Sequence, residues 1–84
     1  MYTSKNAYHQ KVDFVVAKVK ITPAHRLILY NKNGESLKAY NYTFYRSDDI
    51  RVGDSIVKAQ YSKKMYVYRK NVKGIYQVVL KMTP

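Results

Sequence analysis

The fold is decided by Val52–Lys58, with the sequence VGDSIVK, and by Met65–Lys70, MYVYRK, which follows after a short basic turn. Gly and Asp favour a tight turn, and the β-branched run after them favours an extended strand. In the second stretch Tyr66 and Tyr68 share one face, because successive side chains of a strand point to opposite faces. The two stretches together predict a β-hairpin.

The β-branched pattern extends outward from this hairpin. Lys11–Ile21 is rich in Val, which favours a strand over a helix, but its apolar residues are too continuous for a one-sided strand. We therefore predict one long first strand with a bulge near Val15 and Val16, where the inward face changes. Alternating side chains predict further strands at His25–Asn31, Ser36–Arg46, Asp54–Gln60, Met65–Lys70 and Ile75–Met82.

Residues that favour turns separate these strands. Asn31–Gly34 ends in Asn-Gly, which is a strong hairpin signal, and Asn71–Gly74 predicts a second turn. The carboxylate of Asp54 is expected to accept backbone N–H groups and fix the entry of its strand. Ser47–Arg51 predicts a single helical turn capped by its serine. The predicted structural turn residues are Gly34, Gly53, Asp54 and Gly74.

Strands of this length, nearly evenly spaced and joined by short turns, are typical of a small β-barrel. No segment has the length and periodicity of an amphipathic helix. The predicted fold class is therefore all-β, as a single-domain antiparallel barrel of five to six strands, SH3-like or OB-like. We assign residues 1–10 to an irregular lead-in and residues 11–84 to the barrel.

The charge is strongly biased. The 84 residues include 16 Lys and Arg but only 5 Asp and Glu, a formal net charge of +11, and no acidic residue follows Asp54. Such a bias favours an anionic partner, which could be nucleic acid, an acidic glycan or lipid headgroups. Basic side chains also keep a small sheet soluble and its edges unpaired, which is the alternative explanation of the charge. In that case the partner is another protein.

The residues that could carry chemistry do not form a recognisable site. A nucleophilic role for Ser55 would require a nearby base, and nothing in the spacing brings the histidines, His9 and His25, to it. Asp48, Asp49 and Asp54 lack the ligand spacing of a calcium loop, and the chain has no cysteine. We therefore predict a protein that is not an enzyme and that binds neither a metal nor a cofactor.

The aromatic content suggests a binding surface. The chain has ten Tyr and no Trp, and tyrosines beside Lys and Arg are typical of grooves that bind single-stranded nucleic acid. In the alternative interpretation the rings fill or cover the barrel, since tyrosine is common in strands. The candidate binding residues are Tyr40, Tyr42, Arg46, Lys58, Lys63, Lys64, Tyr66, Tyr68, Arg69 and Lys70.

The segment Gly53–Lys58 with Met65–Lys70 resembles short, uncharacterised bacterial proteins, many of which carry an amino-terminal membrane or lipoprotein segment. The similarity is best over Arg51–Lys70, and the apolar strand after a histidine at His25–Tyr30 also fits. Ile50–Asp54 is similar to the loop-to-strand entry of SH3-like and OB-like barrels. The resemblance implies a small barrel and an envelope location, and it implies no activity.

The sequence leaves the compartment open. No run approaches the roughly 18 apolar residues of a membrane helix, and Met1–Asn6 has no apolar signal core. We expect an extracytoplasmic location if a signal or membrane segment precedes Met1 in the full-length product, and a cytoplasmic one otherwise. The leading hypothesis is a non-enzymatic basic binding module, and the alternative is a barrel that binds single-stranded nucleic acid. An exposed edge strand could also form a homodimer by sheet extension.

Overall fold

The computed structural model describes residues 11–38 and 42–83, and these residues form an all-β fold. The strands are β1 (Val12–Val15), β2 (Lys18–Ile21), β3 (Leu27–Tyr30), β4 (Ser55–Lys58), β5 (Met65–Lys70) and β6 (Tyr76–Met82), with a 3-10 turn at Arg46–Asp48. No α-helix occurs in this part of the chain. The predicted all-β class is confirmed.

The strands form two antiparallel sheets. The first has four strands in the order β1-β4-β5-β6, and the second pairs β2 with β3. The predicted hairpin is the centre of the larger sheet, where Ile56 of β4 lies opposite Val67 of β5. Within the described residues the two sheets do not close into a barrel.

The first predicted strand is divided between the two sheets. β1 and β2 are separated at Val16 and Ala17, where we predicted a bulge within one strand. The N–H of Val16 donates to the carbonyl of Asp54 (2.9 Å), whereas the N–H of Ala17 donates to the carbonyl of Tyr30 (2.7 Å). Because consecutive residues bond to different sheets, the chain turns a corner here.

The core lies between the two sheets. Ile56, Met65 and Val67, from β4 and β5, have no exposed surface. The other buried apolar residues are Val12, Val16, Leu29, Tyr42, Phe44 and Ile50. The core thus draws on both sheets and on the irregular segment between β3 and β4.

The predicted third strand, Ser36–Arg46, is not a regular strand in its described part. Residues 39–41, which include the candidate Tyr40, lie outside the described residues. The flanking residues form only isolated bridges, between Tyr30 and Ser36 and between Arg26 and Tyr45. The described residues at both ends of this segment therefore lie beside β3.

The short helical turn starts one residue earlier than predicted. It spans Arg46–Asp48, and the carboxylate of Asp48 accepts the N–H of Tyr45 at 2.7 Å. Asp49 ends the turn in the left-handed region with φ of 53°. The cap is the carboxylate of Asp48, the third residue of the turn. The prediction that Ser47 caps the turn is wrong.

Two turns of the fold have the same design. In each, an Asn side-chain oxygen accepts two backbone N–H groups: Asn31 those of residues 33 and 35 (2.9 and 3.0 Å), and Asn71 those of residues 73 and 75 (2.9 and 3.0 Å). Gly34 and Gly74 lie within these turns and have φ of 82°, a conformation that glycine adopts without a steric penalty. Both predicted turns are confirmed.

We predict that Asn71→Ala lowers the free energy of unfolding by about 1–2 kcal/mol, because two turn hydrogen bonds are lost. Lys73→Ala is the matched control, since the turn uses the backbone N–H of this exposed residue. Urea unfolding followed by circular dichroism measures both variants. Equal unfolding midpoints for Asn71→Ala and Lys73→Ala would contradict the assigned role of the Asn71 side chain.

Candidate functional site

The side chain of Asp54 joins three parts of the fold. It is buried, with 1% of its surface exposed. Its Oδ1 accepts Nε of Arg69 (2.8 Å), and its Oδ2 accepts Nη2 of Arg69 (2.8 Å) and the N–H of Arg51 (2.9 Å). This fork-on-fork contact raises the pKa of the Arg69 guanidinium. Arg69, a candidate binding residue, is therefore engaged inside the protein.

The backbone beside this carboxylate holds the corner between the two sheets. Gly53 donates its N–H to the carbonyl of Val16 at 2.7 Å, and its φ of 96° places it in a region that favours glycine. The carbonyl of Asp54 accepts the N–H of Val16 in return. The structure thus places both residues in the turn where the sequence predicted them.

Two other candidate binding residues lie in the interior. Lys58 is 1% exposed and pairs across the sheet with Val12 and Met65. Its Nζ donates to the carbonyl of Ala59 at 3.1 Å, and burial lowers the pKa of its ammonium. Tyr42 is also buried, which raises the pKa of its hydroxyl. Neither side chain is available to a partner on the surface.

The hydroxyl of Tyr42 anchors the connection between β4 and β5. It donates to the carbonyl of Lys63 at 2.5 Å. The side chains of Lys63 and Lys64 in this connection are exposed, as is that of Arg46 in the 3-10 turn. These three cations lie outside the strands of the four-stranded sheet.

The opposite face of the four-stranded sheet carries the remaining candidates, and we call it the outer face. Along β5 the inward side chains Met65 and Val67 alternate with Tyr66, Tyr68 and Lys70, which are half-buried or exposed. Strand pairing adds the neighbours on this face: Asp13 and Val15 from β1, Ser55 and Val57 from β4, and Tyr76, Val78 and Lys81 from β6.

The outer face is apolar and aromatic. The exposed fractions are 58% for Val15, 54% for Tyr76 and 50% for Val78. The ring centroids of Tyr66 and Tyr68 are 6.2 Å apart, and their planes are inclined by 40°. Exposed apolar surface in one contiguous patch is typical of an interaction site.

Cations lie next to these rings in the cross-strand pairs. Lys81 lies opposite Tyr66, and Lys70 lies opposite Tyr76. The Nζ of Lys70 is 5.9 Å from the centroid of the Tyr76 ring, within the range of a cation–π contact. The outer face therefore alternates rings and positive charges across two strands.

The sequence analysis missed Tyr76 and Lys81 because β6 contains a bulge. Regular alternation placed Tyr76 on the same face as Leu80. The register of β6 against β5 shifts between Val67 and Tyr68, so Val67 pairs with Leu80 while Tyr68 pairs with Val78. Because of the extra residue, Tyr76 and Val78 lie on the outer face, whereas Leu80 packs against the core. The regular alternation predicted through Ile75–Met82 is therefore wrong at this bulge.

Two salt bridges neutralise positive charge among residues 11–38 and 42–83. The salt bridges among the described residues are Asp49–Arg51 (2.7 Å) and Asp54–Arg69 (2.8 Å). The first is exposed, and the hydrogen bond from Arg51 lowers the pKa of the Asp49 carboxyl. The lysines of the outer face therefore keep charge that an anionic ligand could balance.

The described residues offer no cluster of three or more His, Cys, Asp or Glu that could hold a metal ion. They also include no helix with the length and apolarity needed to cross a membrane. Comparison with protein-family models, with curated proteins and with solved structures gave no match. The functional argument therefore rests on the geometry of the chain itself.

We predict that Lys58→Met makes the free energy of unfolding less dependent on pH between 7 and 10, because burial lowers the pKa of the Lys58 ammonium. Between the lowered pKa of folded Lys58 and the ordinary value of 10.5, the unfolded chain binds more protons. Wild-type stability therefore gains from rising pH in this window, and the variant lacks that gain. The free energy of unfolding of Lys58→Met, relative to that of the wild type, should therefore fall as pH rises from 7 to 10.

Urea unfolding at both pH values measures this difference. Lys64→Met is the control, since the side chain of Lys64 is exposed. A stability difference between Lys58→Met and the wild type that does not change between pH 7 and pH 10 would contradict the prediction.

Proposed function

We propose that this chain is a non-enzymatic binding module that binds single-stranded nucleic acid on its outer face. The observation that carries the proposal is the pair of rings of Tyr66 and Tyr68. They lie on one face of a central strand, 6.2 Å apart, with lysines on the same face. This arrangement offers both components that a single strand requires, ring surfaces and positive charge.

The rings supply the sequence-tolerant part of such binding. A base stacked on an aromatic side chain contributes about 1–3 kcal/mol, and every base has a face that can stack. Tyr66 and Tyr68 are separated by one residue and lie on the same side of β5. Tyr76 lies on the same face of the neighbouring strand β6, opposite Lys70. An extended strand crossing the sheet would meet these rings in succession.

The lysines supply the part that depends on salt. Lys81 and Lys70 lie beside the rings, where their ammonium groups can follow the phosphates while the bases stack. The net charge of +11 would attract a polyanion over a longer range. Lipid headgroups and acidic glycans would use the same charge, but charge contacts alone leave the half-buried rings of Tyr66 and Tyr68 without a role.

A small closed barrel, SH3-like or OB-like, is the finer part of this proposal. Support comes from the corner at Val16, where β1 passes into β2, and from the two isolated bridges that extend β3. Barrels of the OB type bind oligonucleotides on one strand face and its neighbouring loops. Backbone NMR contacts between the segment after β3 and the four-stranded sheet would support closure.

Two further proposals concern partners and location. β6 is an edge strand of seven residues, and pairing with a second copy would extend the sheet. Light scattering after size exclusion distinguishes this dimer from a monomer. The envelope location is supported by the resemblance to short bacterial proteins alone. A signal or membrane segment before Met1 in the full-length product would support it and would exclude intracellular nucleic acid as the ligand.

We predict that Tyr66→Leu with Tyr68→Leu weakens binding of a fluorescein-labelled oligothymidylate at least about 30-fold, because two stacking contacts are lost. Fluorescence anisotropy measures the affinity. Tyr45→Leu is the control, since the ring of Tyr45 is exposed but lies off the sheet. No binding at low salt, or equal affinity of the double variant and the wild type, would contradict the proposal.

The salt dependence tests the lysines. Two phosphate contacts, from Lys70 and Lys81, predict that the logarithm of the association constant falls with the logarithm of salt concentration with a slope of about −1.4, plus any contribution from other cations. Lys70→Gln with Lys81→Gln should reduce this slope by about 1.4. Lys63→Gln with Lys64→Gln removes the same charge elsewhere and should change it less.

A further inference from the structure

The smaller sheet carries a cleft that the proposed function does not use. It encloses about 490 Å³ and is lined by Ala17, Lys18, Lys20, Tyr30, Asn31, Lys32 and Gly34. Three lysines and no acidic residue are among these lining residues. A cleft of this size accommodates a small molecule or a short polyanion.

The strand geometry explains why the lysines converge. Lys18 and Lys20 are two residues apart in β2, so they share the face of the sheet that also carries Tyr30 on β3. The chain then turns at Asn31, which places Lys32 on the rim of the same cleft. None of these three lysines was a candidate binding residue in the sequence analysis.

The cleft is held by backbone contacts on both sides. The N–H of Ala17 donates to the carbonyl of Tyr30 at 2.7 Å, and the Asn31 side chain fixes the turn that follows. The Nζ of Lys18 is 5.9 Å from the centroid of the Tyr30 ring. Lys18 and Tyr30 both line the cleft, so this cation lies beside an aromatic ring at its wall.

The acidic residues near the cleft leave the lysines available. The carboxylate of Glu35 accepts Nδ2 of Asn31 at 3.2 Å. Asp13 lines a neighbouring cavity together with Lys32, and it is absent from the lining of this cleft. Three ammonium groups around one space repel each other, and an anion bound between them relieves that repulsion.

We propose that this cleft binds a chain of phosphate groups, as in inorganic polyphosphate or the phosphates of a nucleoside triphosphate. Lysine binds phosphate as a point charge, and three lysines around one cleft can each pair with a different phosphate of a chain. The outer face has no part in this site, so the inference does not depend on the proposed function.

The test is a titration of the whole chain with sodium tripolyphosphate at low salt, followed by ¹H–¹⁵N NMR and calorimetry. We expect the largest shifts at residues 17–20 and 30–34. Lys18→Gln with Lys20→Gln and Lys32→Gln should weaken binding at least tenfold. The control removes three exposed lysines elsewhere, by Lys11→Gln, Lys63→Gln and Lys64→Gln, and should weaken it less than threefold.

Equal losses in the two triple variants would overturn the proposal, because the anion would then respond to overall charge. Absence of binding to the wild type would overturn it as well. ATP serves as a second probe: equal affinities assign the site to the phosphate chain, and tighter binding of ATP identifies a nucleoside triphosphate as the source. Tripolyphosphate has no base that could stack on a ring. The variant Tyr66→Leu with Tyr68→Leu should therefore bind it as tightly as the wild type does. This result is independent of whether the stacking proposal holds.

Discussion

The ion pair between buried Asp54 and half-buried Arg69 is the contact that links most parts of this fold. Its carboxylate accepts both ends of the guanidinium fork and the N–H of Arg51, while the backbone of the same residue holds Val16 at the corner between the sheets. β4 and β5 are thereby fixed in one register. Since alternate side chains of a strand point to opposite faces, that register directs Tyr66 and Tyr68 away from the core.

The Lys and Arg side chains of this protein have three different roles. Arg69 neutralises a buried carboxylate, and Lys58 lies in the interior beside apolar neighbours. Others, such as Lys70 and Lys18, are exposed next to tyrosine rings. The net charge of +11 does not reveal this division, because every Lys and Arg side chain counts equally toward it. Each of the two proposed binding surfaces draws on the exposed group alone.

Local pattern predicted much of the fold and less of the site. The predicted strand Met65–Lys70 matches β5 residue for residue, because its alternation continues without a break. The break near Val16 was predicted as a bulge within one strand, and the bulge in β6 was not predicted, because both features depend on hydrogen bonds to distant strands. Burial of Lys58 is another long-range effect, since lysine by itself indicates an exposed position.

A double-mutant cycle on Asp54→Asn and Arg69→Met tests the central role of the ion pair most directly. Free energies of unfolding for the wild type, both single variants and the double variant give the coupling energy. Our account predicts a coupling of at least about 2 kcal/mol, a large part of the roughly 4–12 kcal/mol expected for a domain of this size. A coupling below about 0.5 kcal/mol would contradict it, because the pair would then contribute no more than an exposed salt bridge.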